Sequence, residues 1–257
     1  MKIAFFSDIH ANLPALEQVL ADIEQQQPDM LFCLGDLVGY NIWPNEVVET
    51  IRQHRIPTLA GNYDEGVGLN SNDCGCAYKS DEDKARGDKS IAFTNELITA
   101  ENRAYLRMLP KQMRLTFSSE QEKLNLLMVH GSPRKINEYL FEDRPEKSLL
   151  RLMEEAAADI MLFGHTHKPY HRLLPYEAEG QTRYRHAINL GSVGKPKDGD
   201  PRACYVLLTL NDDATVTSPD SIQVEFVRVP YDIEKAARAV EESELPNPFA
   251  EMLRLAY

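Results

Sequence analysis

A chain of 257 residues, with 43% hydrophobic and 26% charged residues, has the composition of a globular protein long enough to bury a large core. No apolar stretch approaches the length of a membrane span, so we expect no membrane-spanning helix. The formal charge of −12, from 40 acidic and 28 basic residues, disfavours non-specific binding to nucleic acid or to anionic membranes.

The N-terminal sequence and the cysteines bear on the cellular compartment. MKIAFFSDIH holds one lysine and a short apolar run, which is not the pattern of a secretory signal, so we expect a cytoplasmic protein. Four cysteines without a regular framework are typical of reduced thiols. The CGC sequence at Cys74 and Cys76 is compatible with metal binding or a redox pair, although a loop with two small side chains is the simpler interpretation.

The first third of the chain alternates strands and helices. Strands are predicted at 2–7, 30–34 and 56–60. A helix is predicted over 13–25, with Asn12 as its N-cap, and a second helix begins near Pro44. This alternation is typical of crossover units in a mostly parallel sheet.

Residues 66–115 have a different pattern. A loop rich in glycine, asparagine and cysteine leads into the charged segment SDEDKARGDK and then into a helical pattern. We expect a largely helical insertion over one end of the sheet, within a single domain that spans residues 1–257.

The alternation of strands and helices resumes after this segment. Strands are predicted at 124–129, 159–163, 203–210 and 222–229. Helices are predicted around 145–158 and 231–243, with a short helical piece at the C-terminus. The β-like runs of the final third suggest a second sheet packed on the first.

Side chains that can bind metal follow five of the predicted strands. The sequences SDIH, GD, GNYD, HGSP and GHTH each come directly after an apolar run. In open α/β sheets, ligand sites assemble at the carboxyl ends of the strands. The candidate metal ligands are Asp8, His10, Asp36, Asn62, His130, His165 and His167.

Two aspartates, one asparagine and four histidines suit a pair of metal ions. A carboxylate can bridge two cations, and imidazoles favour Mn, Fe, Ni, Zn or Co over Mg or Ca. Such a pair clamps a phosphate, lowers the pKa of a bound water and stabilises charge on the attacking and leaving oxygens. We therefore predict two divalent transition-metal ions as cofactors, with manganese as the expected metal.

The ordered set SDIH, GDLVGY, GNYD, VHGSP and GHTH resembles the calcineurin-like metallophosphoesterase superfamily. The compact chain and the late sequence NLGSVGKP are similar to its bacterial YfcE-type phosphodiesterase branch. The resemblance covers about residues 1–210. It implies an α/β fold of two packed mixed β-sheets flanked by helices, in four αββα layers, and hydrolysis of phosphate esters by a metal-bridging hydroxide.

The resemblance also implies a role for each candidate ligand. Asp8, His10 and His167 would hold the first metal. Asn62, His130 and His165 would hold the second, and Asp36 would bridge the two.

The sequence departs from the superfamily pattern at one position. In much of the superfamily the third motif is GNHD, where the histidine helps to protonate the leaving oxygen and the aspartate orients that histidine. Here Tyr63 replaces the histidine, while Asn62 and Asp64 remain. A phenol with a pKa of about 10 is a poorer acid than an imidazole with a pKa of about 6.5. We therefore expect phosphodiesters or nucleotide-type anhydrides to be better substrates than alkyl monoesters, and leave open whether Tyr63 donates a hydrogen bond to the leaving oxygen.

The predicted catalytic residues are Asp36, Asn62, Tyr63 and Asp64.

Several polar residues near these motifs have two interpretations each. Asn12 is a candidate for binding phosphate as well as for capping a helix. Arg134 and Lys195 are candidates for binding substrate phosphate, or surface charges. The remaining histidines are predicted to be structural or solvent-facing: His54, His171 and His186.

Other functions remain as alternatives. The site would equally serve a phosphomonoesterase or a nucleotide-anhydride hydrolase, because these differ only in the shape and charge of the pocket. A non-catalytic scaffold, such as the retromer subunit with this fold, has no chemical need for seven metal-competent groups. A nuclease is disfavoured by the acidic charge. We expect a small phosphate ester or a nucleotide as substrate and no membrane partner, and the sequence leaves the oligomeric state open.

Overall fold

The computed structural model describes residues 1–77, 80–118 and 122–257. Strands in these parts of the chain are β1 (Lys2–Phe6), β2 (Met30–Cys33), β3 (Gln112–Ser118), β4 (Lys123–Val129), β5 (Ile160–Phe163), β6 (Tyr170–Ala178), β7 (Gln181–Asn189), β8 (Ala203–Leu210) and β9 (Ile222–Val229). Helices are α1 (Leu13–Gln26), α2 (Pro44–Gln53), α3 (Asn62–Gly68), α4 (Asp81–Leu97), α5 (Ala100–Met108), α6 (Glu146–Glu155), α7 (Ile233–Glu241) and α8 (Pro248–Leu255).

The strands form two mixed sheets. The first has the order β2-β1-β8-β9, in which β1 runs parallel to β2 and antiparallel to β8. The second has the order β3-β4-β5-β7-β6, in which β4, β5 and β7 are parallel and the outer strands are antiparallel to their neighbours. The predicted architecture of two mixed sheets flanked by helices is therefore confirmed.

Alternating side chains of the strands separate the layers. Phe5 and Leu208 of the first sheet pack against Met128 and Leu162 of the second, in the apolar core between the sheets. The opposite face of the first sheet packs on α1 and α2. The outer face of the second sheet packs on α6. These three apolar interfaces hold together four layers, and both sheets present the carboxyl ends of their parallel strands at one edge.

Helix α1 shows why this part of the chain folds as predicted. The Asn12 side chain accepts a hydrogen bond from the Ala15 amide, and Pro14 lies in the first turn, where its missing N–H costs nothing. The helix ends at Gln27, whose left-handed backbone lets its amide bond to Glu24. The first ligand motif is thereby fixed between β1 and α1.

The predicted strand at 56–60 is wrong. Only Thr58 forms a bridge, to Cys33 of β2. Pro57 has no N–H with which to extend a ladder, and Ala60 donates its amide to Pro110 instead. The segment therefore leads the chain from the sheet edge directly to Gly61 and the start of α3.

The predicted segment 66–115 contains α4 and α5, as expected from its helical pattern, but its last residues belong to β3. Half-buried residues alternate with exposed ones along β3, as on an edge strand with one covered face. The division of the chain into a single domain with an insertion stays a prediction. No helix among the described residues is long and apolar enough to cross a membrane.

Candidate metal centre

The predicted ligands meet at the shared edge of the two sheets. Asp8 follows β1, Asp36 follows β2, His130 follows β4, and His165 and His167 follow β5. The remaining two lie in the turn before α1 and at the first residue of α3: His10 and Asn62. All seven side chains belong to buried residues, none of which is more than 4% exposed.

The ligand atoms form two groups. The first contains Asp8, His10 and His167, and the second contains Asp36, His130 and His165; within each group the atoms lie within 4.8 Å of one another. The first group is the set that the resemblance implied for one metal. For the other metal it implied His130, His165 and Asn62, whose Oδ1 lies 3.1 Å from His130 Nε2, with Asp36 as the bridge. The assignment of these residues to two metals stays a prediction.

The Asp36 carboxylate lies between the two groups. Its Oδ2 is 3.6 Å from His10 Nε2 in the first group and 3.3 Å from His130 Nε2 in the second. Its Oδ1 accepts a hydrogen bond from the Tyr63 amide at 2.9 Å. One oxygen is thus anchored to the backbone while the other faces both groups, which is the placement expected of a bridging carboxylate.

The backbone at the ligands is strained. Five of the seven predicted ligands have positive φ angles between 50° and 65°: Asp8, His10, Asp36, His165 and His167. Such angles are uncommon for residues other than glycine, and they persist only where the surrounding structure enforces them. Here they turn the side chains away from the strand direction and toward a common point.

Hydrogen bonds from the ring Nδ1 atoms fix the orientation of three imidazoles. His10 Nδ1 bonds the Val38 carbonyl at 3.0 Å, and His130 Nδ1 bonds the Leu34 carbonyl at 2.8 Å. His167 Nδ1 bonds the Lys195 carbonyl at 2.7 Å. A carbonyl only accepts, so each Nδ1 carries the proton and each Nε2 points into the centre, as in many histidine ligands of metals.

The orientation of these rings creates a pair of facing lone pairs. His10 Nε2 and His167 Nε2 are 3.1 Å apart, and with both Nδ1 atoms protonated neither neutral ring has a hydrogen to share. His165 Nε2 is buried and makes no hydrogen bond to any described residue. These nitrogen lone pairs face one another or face no hydrogen-bond donor, so a bound cation would stabilise them. The mixture of nitrogen and oxygen ligands is suited to divalent transition metals.

Burial and neighbouring charges set the protonation states of Asp36 and of the histidines around it. Burial favours the neutral acid, but the neighbouring imidazoles, His130 foremost, outweigh it and hold the pKa of Asp36 below its usual range. Burial alone would lower the pKa of His130, yet the carboxylates of Asp36 and Asp8 raise it to about 10. Burial lowers the pKa of His10 and of His165 to about 3, so both rings are neutral ligands. A proton on His130 therefore occupies the place that a cation would take.

Two glycines allow the backbone to approach the aspartates. A Cβ atom at Gly61 would lie 2.1 Å from Asp36 Oδ1, and one at Gly164 would lie 2.3 Å from Asp8 Oδ2. Any other residue at these positions would displace a carboxylate, so both glycines are part of the site.

The comparisons with known proteins agree with this geometry. The model of the calcineurin-like phosphoesterase superfamily domain matches residues 1–213. The chain belongs to this superfamily.

Known proteins resemble the chain over most of its length. The uncharacterized protein MJ0912 of Methanocaldococcus jannaschii is 34% identical over 98% of this chain and 97% of its own. Phosphodiesterase YfcE of Escherichia coli K12 is 28% identical over 84% of this chain and 96% of its own. A crystal structure of a metallophosphoesterase from Sphaerobacter thermophilus superimposes with a TM-score of 0.72 at 30% identity, covering 100% of this chain and 99% of that one.

Tyr63 and Asp64, which follow the Asn62 ligand, are both buried. The Tyr63 ring lies 5.4 Å from the His10 ring and 4.8 Å from the Tyr40 ring, measured between centroids. Asp64 accepts the Leu37 amide on Oδ1 and the Gly61 amide on Oδ2, both at 2.9 Å. Burial and the nearby Asp36 charge raise the pKa of Asp64 to about 7. Asp64 thus joins the two loops that carry Asp36 and Asn62, and a catalytic role for it stays a prediction.

The amide of Asn62 is held by a loop that the sequence did not single out for this role. Asn62 Nδ2 donates to the Cys74 carbonyl at 3.0 Å and to Cys76 Sγ at 3.2 Å, which leaves Oδ1 facing His130. The two sulfurs lie 2.8 Å apart as thiols. The CGC loop therefore orients a candidate ligand, a role that no ligand-spacing rule would have found.

The three predicted phosphate-binding residues have different surroundings. Asn12 is buried; its Oδ1 caps α1 by accepting the Ala15 amide, and its Nδ2 donates to the Gly194 carbonyl and the Tyr231 hydroxyl. The exposed Arg134 is paired with Glu138 at 2.5 Å. Lys195 is buried, at 3% exposure, and lines a cleft next to the ligands. Phosphate binding by any of the three stays a prediction, and the geometry favours Lys195.

The other histidines lie outside both ligand groups. His54 is exposed at the end of α2 and bonds the Thr50 carbonyl. His171 and His186 form a pair across β6 and β7, with His171 Nε2 3.0 Å from His186 Nδ1. Their placement on one hairpin is consistent with the predicted structural role.

Proposed function

We propose that the protein is a binuclear metal-dependent phosphohydrolase that acts on phosphodiesters in preference to alkyl monoesters. The observation that carries the proposal is the paired set of buried ligand groups that share Asp36. Membership of the phosphoesterase superfamily and likeness to a phosphodiesterase support it.

Each group of side chains would hold one cation. Asp8, His10 and His167 hold the first, and His130, His165 and Asn62 hold the second, with Asp36 shared between them. When bound, the two cations supply the Lewis acidity and the activated water that hydrolysis of a phosphate ester requires. Manganese is the expected metal, and iron, nickel, zinc or cobalt suit the same donors.

Residues of the chain would orient the metal ligands. The Nδ1–H tautomers of His10 and His167 keep their Nε2 lone pairs aimed inward, whereas His130 must lose its Nε2 proton when a cation binds. The Tyr63 amide holds Asp36 in the shared position.

Tyr63 disfavours alkyl esters through their leaving group, whereas the preference for a diester over a monoester with the same leaving group rests on the likeness to a phosphodiesterase. An alkoxide leaving group needs a proton, and a phenol supplies one poorly at neutral pH. Aryl oxides and phosphates leave without that help. The change at this single position therefore disfavours alkyl monoesters and has less effect on activated diesters and phosphoanhydrides.

Hydrolysis of bis(p-nitrophenyl) phosphate and of p-nitrophenyl phosphate, with and without manganese, tests this function. We expect manganese-dependent turnover of the diester that exceeds turnover of the monoester and disappears in Asp36→Asn. No turnover of either ester with any first-row metal, in protein shown to contain metal, would favour a non-catalytic scaffold instead. Robust hydrolysis of alkyl monophosphates with little action on the diester would reverse the preference.

A further inference from the structure

A cleft of about 370 Å³ opens beside the metal centre. It lies between the loop after β7, the N-terminal half of α4 and the C-terminal helix α8. Its lining includes Tyr40, Arg86, Tyr139, Lys195, Lys197 and Met252. The volume falls within the range of small-molecule sites in proteins, roughly 300 to 1,000 Å³.

Three lining residues contact the ligands of the metal centre directly. The Tyr40 ring centroid is 4.9 Å from that of His10, and the Tyr139 ring centroid is 4.1 Å from that of His165. The Lys195 carbonyl accepts the hydrogen bond from His167 Nδ1. A molecule held at the metal centre would therefore extend into this cleft.

The two lysines in the cleft lack acidic partners. No carboxylate oxygen among the described residues lies within 4.0 Å of either ammonium group. Lys195 Nζ lies instead 4.7 Å above the centroid of the Tyr40 ring and 3.4 Å from Met252 Sδ. Arg86, across the cleft, is already paired with Glu82 and Asp83. The lysines are thus the cations that the cleft offers to a ligand.

The burial of Lys195 makes this arrangement costly without an anion. Lys195 is 3% exposed and the neighbouring Lys197 is half-buried. Buried ammonium groups are stable when an opposite charge pairs with them. Two neighbouring lysines beside a centre that would bind one phosphate group are placed to bind a second phosphate group.

We propose that Lys195 and Lys197 bind a second phosphate of the substrate, one joined to the phosphate at the metal centre, so that the substrate is a nucleoside polyphosphate. This inference rests on the proposed function. The aromatic and thioether groups of Tyr139 and Met252 supply an apolar wall for the nucleoside. A phosphorus that bears one organic group and one phosphoryl group is disubstituted, like that of a phosphodiester, so the two proposals describe the same chemistry.

The reaction needs no general acid. A water oxygen forms a bond to the scissile phosphorus, and the bond from that phosphorus to the bridging oxygen breaks. The electron pair of that bond stays on the bridging oxygen, which departs as part of the second phosphate, and the proton of the water passes to solvent. The lysines offset the negative charge that develops on the departing phosphate. Such a leaving group needs no proton, so Tyr63 can occupy the position where much of the superfamily has the more acidic histidine.

Binding of a non-hydrolysable probe tests the proposal without turnover. The probe is α,β-methylene-ADP, compared with AMP by calorimetry on the manganese-loaded protein. We expect α,β-methylene-ADP to bind at least about tenfold more tightly than AMP, because the hydrogen bonds of a charged lysine to the second phosphate contribute at least about a factor of ten in affinity. Lys195→Met and Lys197→Met should each remove most of this advantage, while Lys147→Met, at an exposed lysine on α6, should leave it unchanged.

Two results would overturn the inference. One is equal affinity of the wild-type protein for the probe and for AMP, and the other is an advantage that persists in both lysine variants. Methylenediphosphonate, which lacks the nucleoside, should show weaker but equally lysine-dependent binding; lysine-independent binding would also count against the assignment. Failure of the proposed function itself would appear separately, as absent turnover of the aryl diester.

Discussion

His10 Nε2 and His167 Nε2 face each other at 3.1 Å, although the Nδ1 protons of both rings are committed to backbone carbonyls. Two lone pairs at this distance repel each other unless a cation lies against both. The rings come from segments 157 positions apart in the sequence, and both have left-handed backbones that turn them toward this point. The relationship is the clearest sign that the fold is built around metal.

The proton on His130 makes metal binding dependent on pH. Its pKa is raised to about 10 in the metal-free protein, whereas a ligating Nε2 must be unprotonated. Below about pH 10 a cation that binds at this group must displace the proton of His130, so affinity should rise by about tenfold per pH unit. Manganese titrations at three pH values, in buffers of different ionisation enthalpy, measure both the affinity and the released proton. Affinity that is flat with pH would contradict the assignment.

Replacement of Gly164 by alanine should damage the first ligand group. The new Cβ would lie 2.3 Å from Asp8 Oδ2 and 2.5 Å from Ser7 Oγ, so Asp8 must move. We expect manganese-dependent turnover to fall by about 100-fold, as for other displaced catalytic groups. Gly180→Ala is the control for an added Cβ, because that atom would meet nothing within 4 Å, and the positive φ of Gly180 gives this variant a backbone cost of its own. That variant should lose some thermal stability and no activity.

The thiol of Cys76 should contribute to metal affinity through Asn62. Cys76→Ala removes one acceptor of Asn62 Nδ2, and loss of such a partner behind a ligand typically costs about 10- to 100-fold in affinity. Cys76→Ser keeps an acceptor and should lose less. Competition titrations with a chelator give the affinities. If the Cys76→Ala and Cys76→Ser variants both bind manganese with the affinity of the wild-type protein, the Cys74 carbonyl alone orients Asn62.

Replacement of Tyr63 by histidine should restore an acid to the site. The imidazole is smaller than the phenol ring, which packs on Gly39, and titrates near neutral pH. Turnover of an alkyl monophosphate should rise by about 100-fold, the lower range for general acid catalysis. Tyr63→Phe is the matched control and should leave turnover of the aryl diester within a few-fold of wild type. An equal gain in both variants would show that shape, and not acidity, limits the monoester.

The ligand positions could be predicted because they depend on a regular feature of α/β folds. Each motif follows a strand, and the carboxyl ends of parallel strands meet at one edge of a sheet. Asp8, Asp36, His130 and His165 lie there for that reason. The strand expected at 56–60 failed because Pro57 interrupts the ladder.

Features that depend on distant contacts could not be predicted. Asn12 caps α1 and also bonds Gly194, 182 positions away in the sequence. The CGC loop reaches Asn62, and Lys197 reaches the cleft, only through the tertiary fold. Strands β6 and β7 were not among the predicted strands, although Gly180 is a local sequence signal for the turn between them, where Glu179 and Gly180 both adopt positive φ.

Anomalous diffraction from crystals of the manganese-loaded protein tests the binuclear centre most directly. We expect two manganese peaks in each chain, one against Asp8, His10 and His167 and the other against Asn62, His130 and His165, with Asp36 in contact with both. A single peak, or a pair that does not share Asp36, in protein that still hydrolyses the aryl diester, would contradict a binuclear centre.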